Sequence, residues 1–203
     1  MRRLSRSESV AMTRARLLDA AEAVFAENGF GEASLSQIAE RAGYTRGAVY
    51  PNFAGKDELF LAVLDRWLDD DIERGGPFIA DSPSAQEVFE WLRTRGGNRF
   101  ADRSRFLLLT EFRLYALRKP AVASRLADYE RRSLAWYTEA VRANLDAAGM
   151  SLPAEQLATF VLALENGIAT LAHIAPDDVR HDAFIDALEL LVTLAGENPQ
   201  QRT

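Results

Sequence analysis

Apolar residues recur at every third or fourth position along most of the 203-residue chain, and nowhere do they alternate with polar ones for long enough to suggest a strand. Leu17, Leu18, Ala21, Val24 and Phe25 form one such face and predict a helix from about Thr13 to Asn28, closed by Gly29 in the manner of a left-handed cap. Ser34-Leu35-Ser36-Gln37 has the form of a capping box and predicts a short helix through Ile38 and Ala39 to Ala42. Gly43 then turns the chain. Thr45 can cap a third helix that includes Ala48, Val49, Tyr50 and Phe53. A fourth starts near Lys56, with Leu59, Phe60, Val63, Leu64, Trp67 and Leu68 on one side. Beyond Gly75-Gly76-Pro77 the pattern predicts helices at 84–95, 104–118, 121–148, 154–173 and 178–195. The expected fold is all-α, with about nine helices. Composition agrees: Ala and Leu together number 59 against 16 for Val and Ile, which favours helix over sheet.

Two short helices joined by a glycine turn make a helix-turn-helix, whose second helix enters the major groove of DNA. Ile38 and Ala39 would brace the first helix against the core. Val49 and Phe53 would hold the second, leaving Thr45, Arg46, Tyr50 and Asn52 facing outward. Charge supports one polyanion-facing end. The chain carries −6 overall, yet residues 1–56 hold 8 Lys/Arg against 6 Asp/Glu, while residues 57–203 hold 16 against 24.

Residues 13–60 resemble the DNA-binding domain of the TetR family of bacterial repressors. The likeness is carried by Phe25-Ala26-Glu27-Asn28-Gly29-Phe30, Ser34, Ile38-Ala39-Glu40-Arg41-Ala42-Gly43, Thr45-Arg46-Gly47-Ala48-Val49-Tyr50, Phe53, Lys56 and Leu59. It implies an N-terminal arm (1–12), a three-helix DNA-binding domain (13–56) and a larger helical ligand-binding and dimerisation domain (57–203). By that resemblance Thr45, Arg46 and Gly47 meet base edges, with Arg46 reading directly. Tyr50 and Asn52 bond phosphates. Ser34 and Ser36, at a helix start, meet phosphate as well. Lys56 is a cation at a helix N-terminus, where it opposes the macrodipole that Asp57 and Glu58 obey, and a phosphate partner would account for it. Arg2, Arg3, Arg6 and Arg14 are candidates to extend the contact.

Pro51 departs from the family pattern. It lacks the amide that would bond Gly47, at a cost of about 3 kcal/mol in a helix interior, and predicts a kinked or tightened recognition helix around Tyr50.

Residues 154–173 and 183–194 are apolar on more than one face, as expected of helices buried on two sides. The resemblance implies that these two helices from each of two subunits pack into a homodimer interface. Aromatic residues are frequent between positions 89 and 160, and the resemblance implies a pocket there for a small, largely apolar effector. Phe89, Phe112, Tyr115, Trp136, Phe160, Asn166 and His173 are its candidate contacts, with Glu111 a further polar group. His181 is expected to be exposed.

Other chemistries are poorly supplied. Cysteine is absent and only two histidines exist, so no metal site, cofactor or nucleophilic triad is expected. Asp69-Asp70-Asp71 points in several directions round a helix and reads as a solvated surface rather than a cation site. No uninterrupted apolar run suggests a membrane span or secretion signal, so a cytoplasmic location is expected. The resulting expectation is a non-enzymatic transcriptional regulator, a repressor released from a palindromic double-stranded DNA operator by its ligand. The alternative is a helical ligand-binding or adaptor protein that does not bind DNA, for which Pro51 and the net negative charge are the warrant.

Overall fold

The computed structural model describes residues 5–81, 84–94, 100–147 and 149–196. Among these are eight α-helices, one 3₁₀ turn and no strand. The order is α1 (Arg6–Glu32), α2 (Leu35–Arg41), the 3₁₀ turn (Arg46–Ala48), α3 (Lys56–Asp81), α4 (Ala85–Thr94), α5 (Arg103–Leu117), α6 (Pro120–Ala147), α7 (Ala154–Ile174) and α8 (Ala183–Gly196).

The helices divide into two compact units: Met1–Asp69 with Leu107–Tyr129, and Asp70–Phe106 with Glu130–Thr203. This differs from a division at residue 56. The first half of α3 and most of α5 belong with the N-terminal helices, and the reason is aromatic packing. Phe30 of α1, Phe60 of α3 and Phe112 of α5 form a cluster with ring centroids 4.4–5.1 Å apart, and Phe25 joins it 4.9 Å from Phe60. Such rings bury more area than any aliphatic pair and prefer this mix of edge and stacked contacts. Leu17, Ala21, Val24, Leu59, Val63, Leu64 and Leu68 fill the remainder.

α1 starts earlier than the periodicity suggests. Ser5 caps it, with Glu8 closing a capping box through bonds of 3.2 and 2.7 Å. Residues 6–12 of the expected arm are therefore helical, because a strong cap nucleates a turn even where the sequence is polar. Arg2 and Arg3 lie outside the described residues. Gly29 breaks α1 with φ +73° and ψ 171°, a region essentially reserved for glycine. A Cβ there would also stand 3.0 Å from a Glu111 carboxylate oxygen. Gly29→Ala is expected to lower stability by about 2 kcal/mol, read as a reduced urea midpoint at unchanged slope.

α3 runs straight through Gly75-Gly76-Pro77, where the sequence predicts a break. Gly75 is buried under Trp91, whose ring would lie 3.2 Å from an added Cβ, so close packing outweighs local helix propensity. In the second unit, Phe89, Phe184 and Ile185 form a core with Leu92, Val161, Leu164, Ile168 and Leu188 around it. Pro120 opens α6 at the first helical position, where a missing amide costs nothing.

By length and composition α7 could cross a membrane, a property hidden from a search for unbroken apolar runs because Glu165, Asn166 and His173 interrupt it. Only one face of α7 is buried (Ala158, Glu165, Ala169 and Ala172), while Phe160, Leu171 and Ile174 stay exposed on the isolated chain.

Candidate nucleic-acid interface and internal cavity

α2 is held by the capping box predicted for it. Ser34 Oγ accepts from the Gln37 amide at 3.3 Å, and the Gln37 side chain accepts from the Ser34 amide at 2.9 Å. The Ser34 hydroxyl also donates to Gln37 Oε1 at 2.8 Å. Ser34 and Ser36 are both exposed. Ile38 and Ala39 are fully buried and anchor the helix. Gly43, with φ +77°, makes the turn.

The second helix is tightened, as Pro51 demands. Thr45 O accepts from Ala48 and Arg46 O from Val49, giving one 3₁₀ turn in place of an α-helix. Val49 O then accepts from both Asn52 and Phe53 at 2.9 Å. The Asn52 side chain donates to Ala48 O at 2.9 Å, replacing a backbone bond that the tightened turn cannot make. Asn52 thus braces the turn through one of its side-chain amide hydrogens. Arg14 is also engaged: its guanidinium lies 4.2 Å from the Phe53 ring and donates to Asn52 O at 2.8 Å.

Thr45, Arg46, Gly47 and Tyr50 remain on the outer face, with Tyr50 50% exposed. The Arg46 Nε donates to the Tyr50 hydroxyl at 3.2 Å. The pair keeps the guanidinium fork extended, with further donors available to an acceptor. Val49 and Phe53, both buried, fasten this turn to the core.

Lys56 is placed differently from expectation. Its ammonium donates to the carbonyls of Phe30, Gly31 and Ala33 at 2.7, 3.0 and 2.9 Å, so its three donors are all used. It closes the C-terminal end of α1, where a cation is favourable, and this resolves the apparent conflict with the dipole of its own helix. Burial lowers its pKa, opposed by Asp57, Glu111 and Glu32. Glu111 completes the clasp by accepting from the Phe30 and Gly31 amides at 2.8 and 2.7 Å. The Tyr115 hydroxyl donates to Asp57 at 3.0 Å, and Lys119 donates to that hydroxyl at 2.6 Å. Glu111, Phe112 and Tyr115 therefore belong to the N-terminal unit. They are not pocket residues, because the aromatic cluster and the end of α1 already occupy them.

The second unit contains a cavity of about 440 Å³, within the range of small-molecule sites. Phe89, Trp136 and Phe160 line it, together with Trp91, Tyr137, Asn144 and Glu165. Asn166 and His173 do not. Asn166 donates to Leu162 O at 2.8 Å, and His173 bonds Phe100 O at 2.9 Å through Nε2. His181 is half-buried rather than exposed, its ring 4.5 Å from His173, and burial lowers its pKa. Trp91, Tyr137 and Glu165 are not among the contacts the sequence proposes. Helical spacing identifies an inward face but does not distinguish a cavity wall from packed core. Among the described residues no cluster of three or more metal-ligating side chains occurs.

Residues 17–63 match the model of the bacterial regulatory proteins of the tetR family. This N-terminal segment is a TetR-type DNA-binding domain by that match. The segment is 56% identical over 52 residues to the HTH-type transcriptional regulator SrpR of Pseudomonas putida, covering 26% of this chain and 24% of that protein. The chain is therefore matched over only about a quarter of that relative's length. Solved structures extend the TetR-like fold over about nine-tenths of the chain. A TetR-family regulator from Rhodococcus superposes with TM-score 0.71 at 20% identity, covering 91% of this chain and 98% of the other. The regulator FadR of Bacillus subtilis, in complex with stearoyl-CoA, does so with TM-score 0.63 at 19% identity, covering 88% and 97%.

Proposed function

We propose that this chain is a DNA-binding transcriptional repressor that acts as a homodimer on a palindromic operator in the cytoplasm and is released by a small, largely apolar ligand. The exposed Arg46–Tyr50 pair carries the DNA-binding part: a two-pronged donor stands on a turn that buried Val49 and Phe53 fix in place. Thr45 and Gly47 flank it at base-edge level, and Ser34 and Ser36 supply polar groups for phosphate at the start of α2. Two such turns would meet successive major-groove faces about 34–36 Å apart.

The exposed stripe of Phe160, Leu171 and Ile174 on α7, with Leu190 and Leu194 on α8, supports a second copy as its cover. The cavity in the same unit supports the ligand. α3 carries Lys56 in its first turn and the cavity-lining Asp71, Arg74, Gly75 and Ile79 further along. It is the continuous element through which ligand and DNA would weaken each other, by about 1–3 kcal/mol.

Fluorescence anisotropy on DNA from the gene's own upstream region tests this reading. The wild type is expected to bind with an affinity that falls steeply with salt. Arg46→Ala should cost about 1–3 kcal/mol of operator affinity and relax preference at one position per half-site. No binding at low salt would favour the adaptor alternative, which the single-turn recognition element and the net charge of −6 already motivate.

A further inference from the structure

The recognition turn carries little with which to read bases. Between Thr45 and Asn52 the one charged side chain is Arg46. The 3₁₀ turn covers Arg46–Ala48 alone, and Asn52 folds a side-chain amide hydrogen back onto Ala48 O. A long exposed arginine populates many rotamers, and it discriminates between bases only when held in one geometry.

Tyr50 supplies that confinement. Its backbone is fixed by the buried side chains of Val49 and Phe53, and its half-exposed ring turns on only two torsions. Its hydroxyl accepts from Arg46 Nε at 3.2 Å, while the guanidinium carbon lies 5.9 Å from its ring centroid. The bond occupies the donor nearest the stem and leaves Nη1 and Nη2 at the far end of the fork. The major-groove edges decide which base suits that fork. Guanine presents two adjacent acceptors, N7 and O6. Adenine presents an acceptor beside a donor, cytosine a donor, and thymine an acceptor beside a methyl group. Two parallel N–H donors match guanine alone.

We infer that Tyr50 is the positioning residue for base reading: its hydroxyl holds Arg46 by Nε so that Nη1 and Nη2 meet O6 and N7 of a guanine. This rests on the reading of the chain as a DNA-binding protein, and it names the base and the residue that fixes the choice. The hydroxyl receives the Arg46 bond on a lone pair, so its own proton remains for a neighbouring phosphate. Register along the backbone is thereby tied to the reading of the base.

Duplexes from the gene's own upstream region, synthesised with guanine or with 7-deazaguanine, test the assignment by fluorescence anisotropy. The analogue pairs with cytosine as guanine does but carries carbon in place of N7. The wild type is expected to bind the guanine duplex about tenfold or more tighter than the analogue. Arg46→Lys keeps the charge but loses both Nε and the planar fork, and it should bind the two duplexes alike. Tyr50→Phe keeps the ring and should bring the ratio down close to that of Arg46→Lys. The ratio compares two duplexes on one protein, so a smaller folded fraction does not move it. A wild-type ratio retained by Tyr50→Phe would show that Arg46 reads without its neighbour and would overturn the assignment. A wild type that binds both duplexes equally would do the same while leaving DNA binding in place. Absence of binding to either duplex at low salt would remove the DNA-binding reading itself.

Discussion

Replacing Ile174 and Leu194 together by Asp is expected to convert a dimer into monomers and to weaken operator binding by about 100-fold or more. Both side chains are exposed on the isolated chain, Ile174 at 76% and Leu194 at 56%. Each aliphatic side chain that a partner covers contributes about 1.5–3 kcal/mol, and each occurs twice in a symmetric interface. Aspartate forfeits that gain and adds a desolvation cost. Ala163 and Gly167 are exposed on α7 between Phe160 and Leu171, so two such helices could approach closely. Sedimentation velocity would show the change in mass, and anisotropy would show the loss of avidity as the two half-sites uncouple. Retention of a dimer by the double variant would remove α7 and α8 as the interface. A monomeric variant with undiminished operator affinity would remove the need for a pair.

The second large effect falls on stability. Lys56→Met is expected to destabilise the N-terminal unit by about 3 kcal/mol, since it leaves three carbonyls at the end of α1 without their cation. Methionine keeps much of the stem's packing, so the loss reports chiefly on the ammonium. Glu111→Gln should be destabilising as well, because its carboxylate receives the two neighbouring amides. The two effects should not add, for both groups hold the same Phe30-Gly31 segment, and a double-mutant cycle would measure the coupling. With its donors occupied, Lys56 should contribute nothing to the salt dependence of DNA binding. A Lys56→Met protein of normal stability whose salt slope falls by about one unit would restore the phosphate contact that the sequence suggests.

These two residues mark where sequence becomes insufficient. The capping box at Ser34, the turn at Gly43, the inward face of α1 and the disturbance at Pro51 are all local, and each follows from residues within one or two turns. Lys56 looks anomalous locally because its partners lie 23–26 positions upstream. Glu111 meets its partners 80 and 81 positions away. Periodicity says that Phe112 and Tyr115 point inward but not into which unit, so they were expected at the ligand. Phe89, Trp136 and Phe160 reach the cavity because α4, α6 and α7 all surround it. Glu165 was passed over because a lone acid in an apolar helix ordinarily faces water. The break expected at Gly75-Gly76-Pro77 failed for a related reason: glycine can signal a turn or make room for a neighbour, and only Trp91 reveals which.

The clasp that Glu111 makes on Phe30 and Gly31 has a consequence for biosynthesis. When residues 1–69 have left the ribosome, the end of α1 still lacks its carboxylate and the Phe30–Phe60 pair still lacks Phe112. The N-terminal unit is complete only after α5 has been translated. A half-made polypeptide therefore lacks the finished unit, and a chimaera that grafts it onto another body must carry residues 107–129 along with it.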